Sequence, residues 1–156
     1  MSVRLPPFQR FLDVHREDVY RYLLFAVGPQ EADDVFQETF LAALRAYPKL
    51  TDAGNLKGWV LTIAHRKALD AHRSRSRRAV PVAAVPDGAG REPPDKDDAV
   101  WEAVRRLPDK QRAAVLLRFA ADLPYREVAL AAGGTEETAR RNVADGIKNL
   151  RKEWSR

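Results

Sequence analysis

The stretch NLKGWVLTIAHRKALDAHRSRSRR (residues 55–78) decides how this chain folds. Leu56, Trp59, Val60 and Ile63 fall at i, i+3, i+4 and i+7, the spacing of one face of a buried helix. The second half stays helical in spacing but turns basic. Arg66, Lys67, Arg73, Arg75, Arg77 and Arg78 follow, with His65 and His72 among them and Asp70 as the acid. A helix anchored in a core by its first turns holds such a row of cations rigidly. A rigid cationic row suits a polyanion, nucleic-acid phosphate above all. The plain alternative is a solvated helix end, since cations near a C-terminus also favour the macrodipole, but these cations outnumber what capping needs.

The surrounding chain bounds the possibilities. Its 156 residues give room for one ordinary domain or two small ones, and 45% hydrophobic residues suffice for a core. The net charge of +5 is unevenly spread. Residues 51–82 hold seven Lys/Arg against two Asp, whereas residues 28–40 hold four acids and no Lys or Arg. A basic face and an acidic patch point to two different partners. The absence of cysteine excludes disulfides and Cys-based zinc sites, and three scattered His without HExxH make no metal motif. No apolar run approaches a membrane span and MSVRLPPFQR at the N-terminus lacks a signal-peptide apolar region, so a cytoplasmic location is expected.

Upstream, Phe8, Phe11, Leu12, His15, Val19, Tyr22, Leu23 and Ala26 recur at three and four, between Pro6-Pro7 and Gly28-Pro29. They predict one amphipathic helix. A second runs from about Glu31 to Tyr47, with Val35, Phe36, Phe40, Leu41, Leu44 and Tyr47 as its apolar positions and Pro48 as its stop. Thr51 to Asn55 reads as a loop. Downstream, residues 79–98 are rich in Pro, Gly and Ala and lack a helical period, which predicts a flexible linker. Residues 99–156 then predict a second helical domain. Val100, Trp101, Val104 and Leu107 make a short helix closed by Pro108, and Gln111 to Ala121 another. Tyr125 to Ala132, the turn Gly133-Gly134 and a final helix capped by Thr135 form a helix-turn-helix pattern, whose second helix lies in the DNA major groove. An ordinary helical hairpin is the alternative. No segment alternates with period two, so the expected class is all-α.

At this point the residues resemble a family. ADDVFQETFLAAL (residues 32–44) is similar to the acid-Asp-x-x-Gln-Glu-x-Phe-Leu helix of extracytoplasmic-function sigma factors, the short two-domain class of bacterial RNA polymerase sigma subunits. The opening stretch is similar to their Gly-Trp-Leu-x-x-Ile-Ala…Asp-x-x-Arg helix. LPDKQRAAVLLRFAADLPYREVA and GTEETARR are similar to their region 4 and its recognition helix. The resemblance covers nearly the whole chain, with residues 1–78 as a region 2-like helical bundle and 99–156 as a region 4-like helix-turn-helix.

The resemblance implies a role for each patch. Asp34, Gln37, Glu38 and Phe40 would dock on the clamp helices of the polymerase largest subunit, and the second domain would meet the flap of the second-largest subunit. Asn55, Lys57, Trp59, Arg66, Lys67, Arg73 and Arg77 would hold the −10 promoter element, with a base flipped from the stack. Trp59 could stack on a base, but its spacing with Ile63 also suits the core. Thr135, Glu136, Glu137, Thr138, Arg140, Arg141 and Lys148 would read the −35 element, Arg on guanine edges or phosphate and Glu on cytosine N4. Gly134, Asn142, Asp145 and Gly146 depart from the family pattern, as does Arg66, where the family often has Asn. Gly146 is expected to weaken its helix by about 1 kcal/mol relative to Ala. The implied partners are core polymerase, promoter DNA and, where control is external, an anti-sigma factor. No cofactor, metal or catalytic residue is implied.

Two other readings compete. A helix-turn-helix regulator that never joins polymerase would leave the acidic helix idle. An acidic-site nuclease using Asp33, Asp34 and His65 fails on spacing, because those groups lie on separate helices.

Overall fold

The computed structural model describes residues 4–78 and 96–154. Every regular element among them is helical: α1 Phe8–Val27, α2 Pro29–Ala46, a 3-10 turn Tyr47–Lys49, α3 Leu56–Arg78, α4 Lys96–Arg105, α5 Asp109–Val115 running into a π turn Leu116–Ala120, α6 Tyr125–Ala132 and α7 Glu136–Trp154. Prolines punctuate these elements. Pro29 occupies the first turn of α2, where its fixed φ is already helical and its missing N–H costs nothing. The helix therefore begins two residues before the acids suggested. Pro48 tightens the end of α2 into the 3-10 turn. Pro7, Pro108 and Pro124 stand at the N-caps of α1, α5 and α6.

Helices α1, α2 and α3 pack on one another around aromatic rings. Phe11 is the hub, with Phe8, Tyr47, Trp59 and Phe40 at centroid distances of 5.5, 5.3, 5.7 and 6.2 Å. Phe36 continues the chain of rings from Phe40 (4.8 Å) to Tyr20 (5.7 Å). The α2 face differs from its apolar pattern. Val35, Phe40 and Ala43 are buried, but Leu41 and Leu44 are 53% and 49% exposed. The three-helix packing leaves α2 an outer side, and those two leucines stand on it.

In the second half, α5 and α6 both pack on α7. The expected helix over Gln111 to Ala121 is broken by the π turn, in which Ala121 N–H reaches Leu116 O at 3.0 Å and Leu123 N–H reaches Leu117 O at 3.1 Å. The added residue turns Leu116, Leu117, Ala120, Ala121 and Leu123 all inward. Helix α4 starts at Lys96, inside the stretch expected to be linker through Asp98. The rest of that linker, residues 79–95, lies outside the described residues.

The halves also meet each other. Helix α1 packs on the π turn and α3 on α6, and the buried side chains of both halves form one continuous cluster. Two arginines cross the seam. Arg21 Nε donates to Ala120 O at 3.1 Å, and Arg105 Nη2 donates to Leu24 O at 3.2 Å.

Candidate functional site

Three groups of side chains face outward from this frame. The first lies on α2. Asp34, Gln37 and Glu38 are exposed and, with Leu41 and Leu44, follow helical spacing along one stripe. Neither Asp34 nor Glu38 forms an ion pair among the described residues. Asp33 is engaged differently, since its hydrogen bond to Tyr20 pushes the Tyr20 hydroxyl pKa up. Phe40 is 6% exposed, so it fastens α2 to Phe11 and Phe36 rather than lying on the surface of the stripe. Leu41 and Leu44 belong to the stripe although their spacing suggested core. Their exposure was not readable from periodicity, because the apolar pattern does not reveal which side of α2 the packing leaves open.

The second group surrounds α3. Asn55 caps it, its Oδ1 accepting from Gly58 N–H at 3.0 Å, while Asp52 Oδ1 accepts from Gly54 N–H at 2.8 Å and tightens the preceding loop. Lys57 Nζ lies 3.9 Å from Asp18 Oδ2. Trp59 is half-buried in the aromatic cluster, 6.2 Å from Tyr47. Arg66 and Arg73 are exposed and Lys67 half-buried. Arg66, Asp70, Arg73 and Arg77 share a stripe by spacing, so Asp70 interrupts the cationic row. The side chain of Arg77 lies outside the described residues. His65 does not join these groups. It is 6% exposed, its Nδ1 sits 3.1 Å from the buried Tyr22 hydroxyl, and burial, helped by Arg66, lowers its pKa. It is thus a core histidine on a different helix from Asp33 and Asp34.

The third group lies along α7 and at its N-cap. Thr135 Oγ1 accepts from Thr138 N–H at 3.0 Å and meets Thr138 Oγ1 at 2.8 Å, so both threonines form the cap. Glu136, Glu137, Arg140, Arg141 and Lys148 are all exposed. Arg140 Nη2 donates to Glu136 Oε1 at 2.6 Å, and its guanidinium carbon lies 4.9 Å from the Tyr125 ring centroid. The departures at Gly134 and Gly146 have structural causes. Gly134 has φ +152 in a tight turn whose neighbour Gly133 has φ +78, a backbone that side-chain-bearing residues avoid. A Cβ on Gly146 would stand 2.7 Å from Val115 Cγ2, so this glycine is where α7 crosses α5.

No group of three metal-ligating side chains forms among the described residues. No described helix is long and apolar enough to cross a membrane.

Comparison with known proteins follows this division. The model of sigma-70 region 2 matches residues 11–78, and that of sigma-70 region 4 matches residues 97–150. The chain is 36% identical over 140 residues to the ECF RNA polymerase sigma factor BldN of Streptomyces coelicolor, covering 83% of this chain and 53% of BldN. It is 34% identical over 157 residues to the ECF RNA polymerase sigma factor SigD of Mycobacterium tuberculosis, covering 91% of this chain and 74% of SigD. Among solved structures, the sigma factor RpoE of Bartonella quintana, crystallised with the anti-sigma factor NepR, superposes with a TM-score of 0.78 at 21% identity, over 93% of this chain and 94% of RpoE.

Proposed function

The chain belongs to the extracytoplasmic-function sigma factors of bacterial RNA polymerase, and we propose a role for each of its exposed faces on that premise. The α2 stripe of Asp34, Gln37 and Glu38 docks on the polymerase largest subunit, with Leu41 and Leu44 adding apolar contact. Helix α3 and its capped loop capture melted −10 DNA. Helix α7 reads the −35 duplex. Residues 1–78 and 99–156 are the working units, and the second also meets the flap of the second-largest subunit.

The observation that carries this reading is the segregation of charge on exposed helix faces. Asp34 and Glu38 stand without a cationic partner among the described residues on one helix, while Arg66, Arg73, Arg140 and Arg141 are exposed on two others. A carboxylate stripe repels DNA and suits a basic protein groove, and the arginines suit phosphate and base edges. The role is one of binding. Extruding a base costs a few kcal/mol, which contacts from a preformed loop offset, and the polymerase performs the chemistry.

The protein acts beside the polymerase in the cytoplasm. An anti-sigma factor of the kind bound by RpoE is a further partner we propose. Transcription in vitro tests the reading. Purified protein plus core polymerase should start RNA at a specific site, and Asp34→Lys with Glu38→Lys should abolish this by removing polymerase binding. Full polymerase binding by that double variant would sink the assignment of α2.

A further inference from the structure

Tyr125 was noticeable in the sequence only as the start of a helix, yet it organises the surface beside α7. Two guanidinium groups lie over its ring. Arg140 from the recognition helix is 4.9 Å from the ring centroid, and Arg118 from the π turn is 5.2 Å away. Each arginine has its own carboxylate. Arg140 Nη2 donates to Glu136 Oε1 at 2.6 Å, and Arg118 Nη1 lies 3.8 Å from Asp122 Oδ1. Arg118 also lies 5.6 Å from the Phe119 ring. The resulting series, Asp122, Arg118, Tyr125, Arg140, Glu136, ties the π turn to the first turns of α7 through a ring on neither element.

We propose that Tyr125 is a positioning residue for −35 recognition: its ring holds the Arg140 guanidinium by the face and so fixes where its donor edge reaches the DNA. The proposal rests on the reading of α7 as the −35 element's reader. The physical ground is the shape of the group. A guanidinium is planar, its cation–π contact uses the face, and its N–H donors point outward in the plane. A ring on the face therefore leaves the edge, apart from the Nη2 hydrogen given to Glu136, available for the bidentate hydrogen bonds that pick out guanine O6 and N7. An exposed arginine without such support loses many rotamers on binding, and its edge is placed loosely. Glu136 holds the same guanidinium through one nitrogen, which limits its rotation about the ring in the free protein. Arg118, paired with Asp122, meets the ring from the π turn, so Tyr125 is itself held.

The full-length protein assembled with core polymerase, offered a pool of promoter duplexes randomised across the −35 region, tests this. Sequences are counted before and after capture. Arg140→Ala should lose preference at one or two base pairs, and Tyr125→Ala should lose about tenfold at those same pairs, the scale of one bidentate base contact. Tyr125→Phe should keep the preference. The double variant should lose no more than Arg140→Ala alone, since both changes remove one device. Tyr125→Leu keeps apolar bulk but has no ring face, so it should lose the preference while its urea midpoint stays near that of the parent. An unchanged preference in Tyr125→Ala and Tyr125→Leu, a loss spread evenly over all sequences, or additive losses in the double variant would overturn the proposal. If Arg140→Ala keeps full −35 preference, the assignment of α7 falls and this inference with it.

Discussion

Arg105 Nη2 donates to the carbonyl oxygen of Leu24, 3.2 Å away and 81 residues earlier in the chain. Leu24 lies in the last turn of α1, where the dipole is negative, and its oxygen also accepts from the capping Gly28 N–H at 3.0 Å, so Arg105 takes its second lone pair. Arg21 of α1 does the same in return for Ala120 O at the end of the π turn. Each half thus lends an arginine to a helix end of the other. Both contacts should matter to how the halves sit together and little to how each folds. We expect Arg21→Ala with Arg105→Ala to lengthen and broaden the distance between fluorophores placed on α2 and α7, with helical content unchanged by circular dichroism. An unaltered distance distribution would mean that the shared apolar seam alone holds the halves.

Gly146 looks in the sequence like a weak point that alanine would repair by about 1 kcal/mol. The structure reverses the sign. A Cβ there would meet Val115 Cγ2 at 2.7 Å, and Val115 is buried and β-branched, so it has little room to move. Gly146→Ala should destabilise the protein by about 1–3 kcal/mol in urea unfolding, the usual cost of overpacking. Adding Val115→Ala should recover part of that loss. Stabilisation by Gly146→Ala alone would show that α5 and α7 are not in contact at this point.

Stability should fall on mild acidification. His65 and His15 both have pKa values lowered from 6.5 chiefly by burial. The folded state therefore favours their neutral forms, and below about pH 6.5 the unfolded chain binds more protons. Their contribution is complete above that value and is lost as pH falls toward the folded pKa values. Urea unfolding at pH 7.5 and at pH 5.5 measures the slope. His65→Gln should flatten it even if it costs stability at pH 7.5 through the lost Tyr22 contact. An equal slope in that variant would assign the pH dependence elsewhere.

The α2 leucines and Phe40 should separate binding from stability. Leu41→Ser and Leu44→Ser should change stability by no more than about 0.5 kcal/mol, because both side chains are already half in water. They should nonetheless weaken capture of core polymerase. Phe40→Ala should cost about 3–5 kcal/mol, as expected for an aromatic ring removed from a core. Denaturation and polymerase pull-down on the same variants check both halves of this expectation.

The sequence by itself determined the elements. The three- and four-residue spacing of Phe11, Val19, Trp59, Val60, Ala139 and Val143, with prolines and glycines at the junctions, specified helices whose ends are set locally. It also determined the charge pattern that places carboxylates on α2 and cations on α3 and α7. Tertiary structure alone decided which faces those helices hide. Leu41 and Leu44 carry the same apolar signal as Phe40, and only the packing of α1 and α3 on one side of α2 exposes the first two and buries the third. It alone set Gly146 against Val115, brought Arg105 to Leu24, and laid Arg140 over Tyr125. Local spacing fixes how residues within one helix align, whereas these pairs span different elements, and their meeting depends on crossing angles and on the extra residue of the π turn.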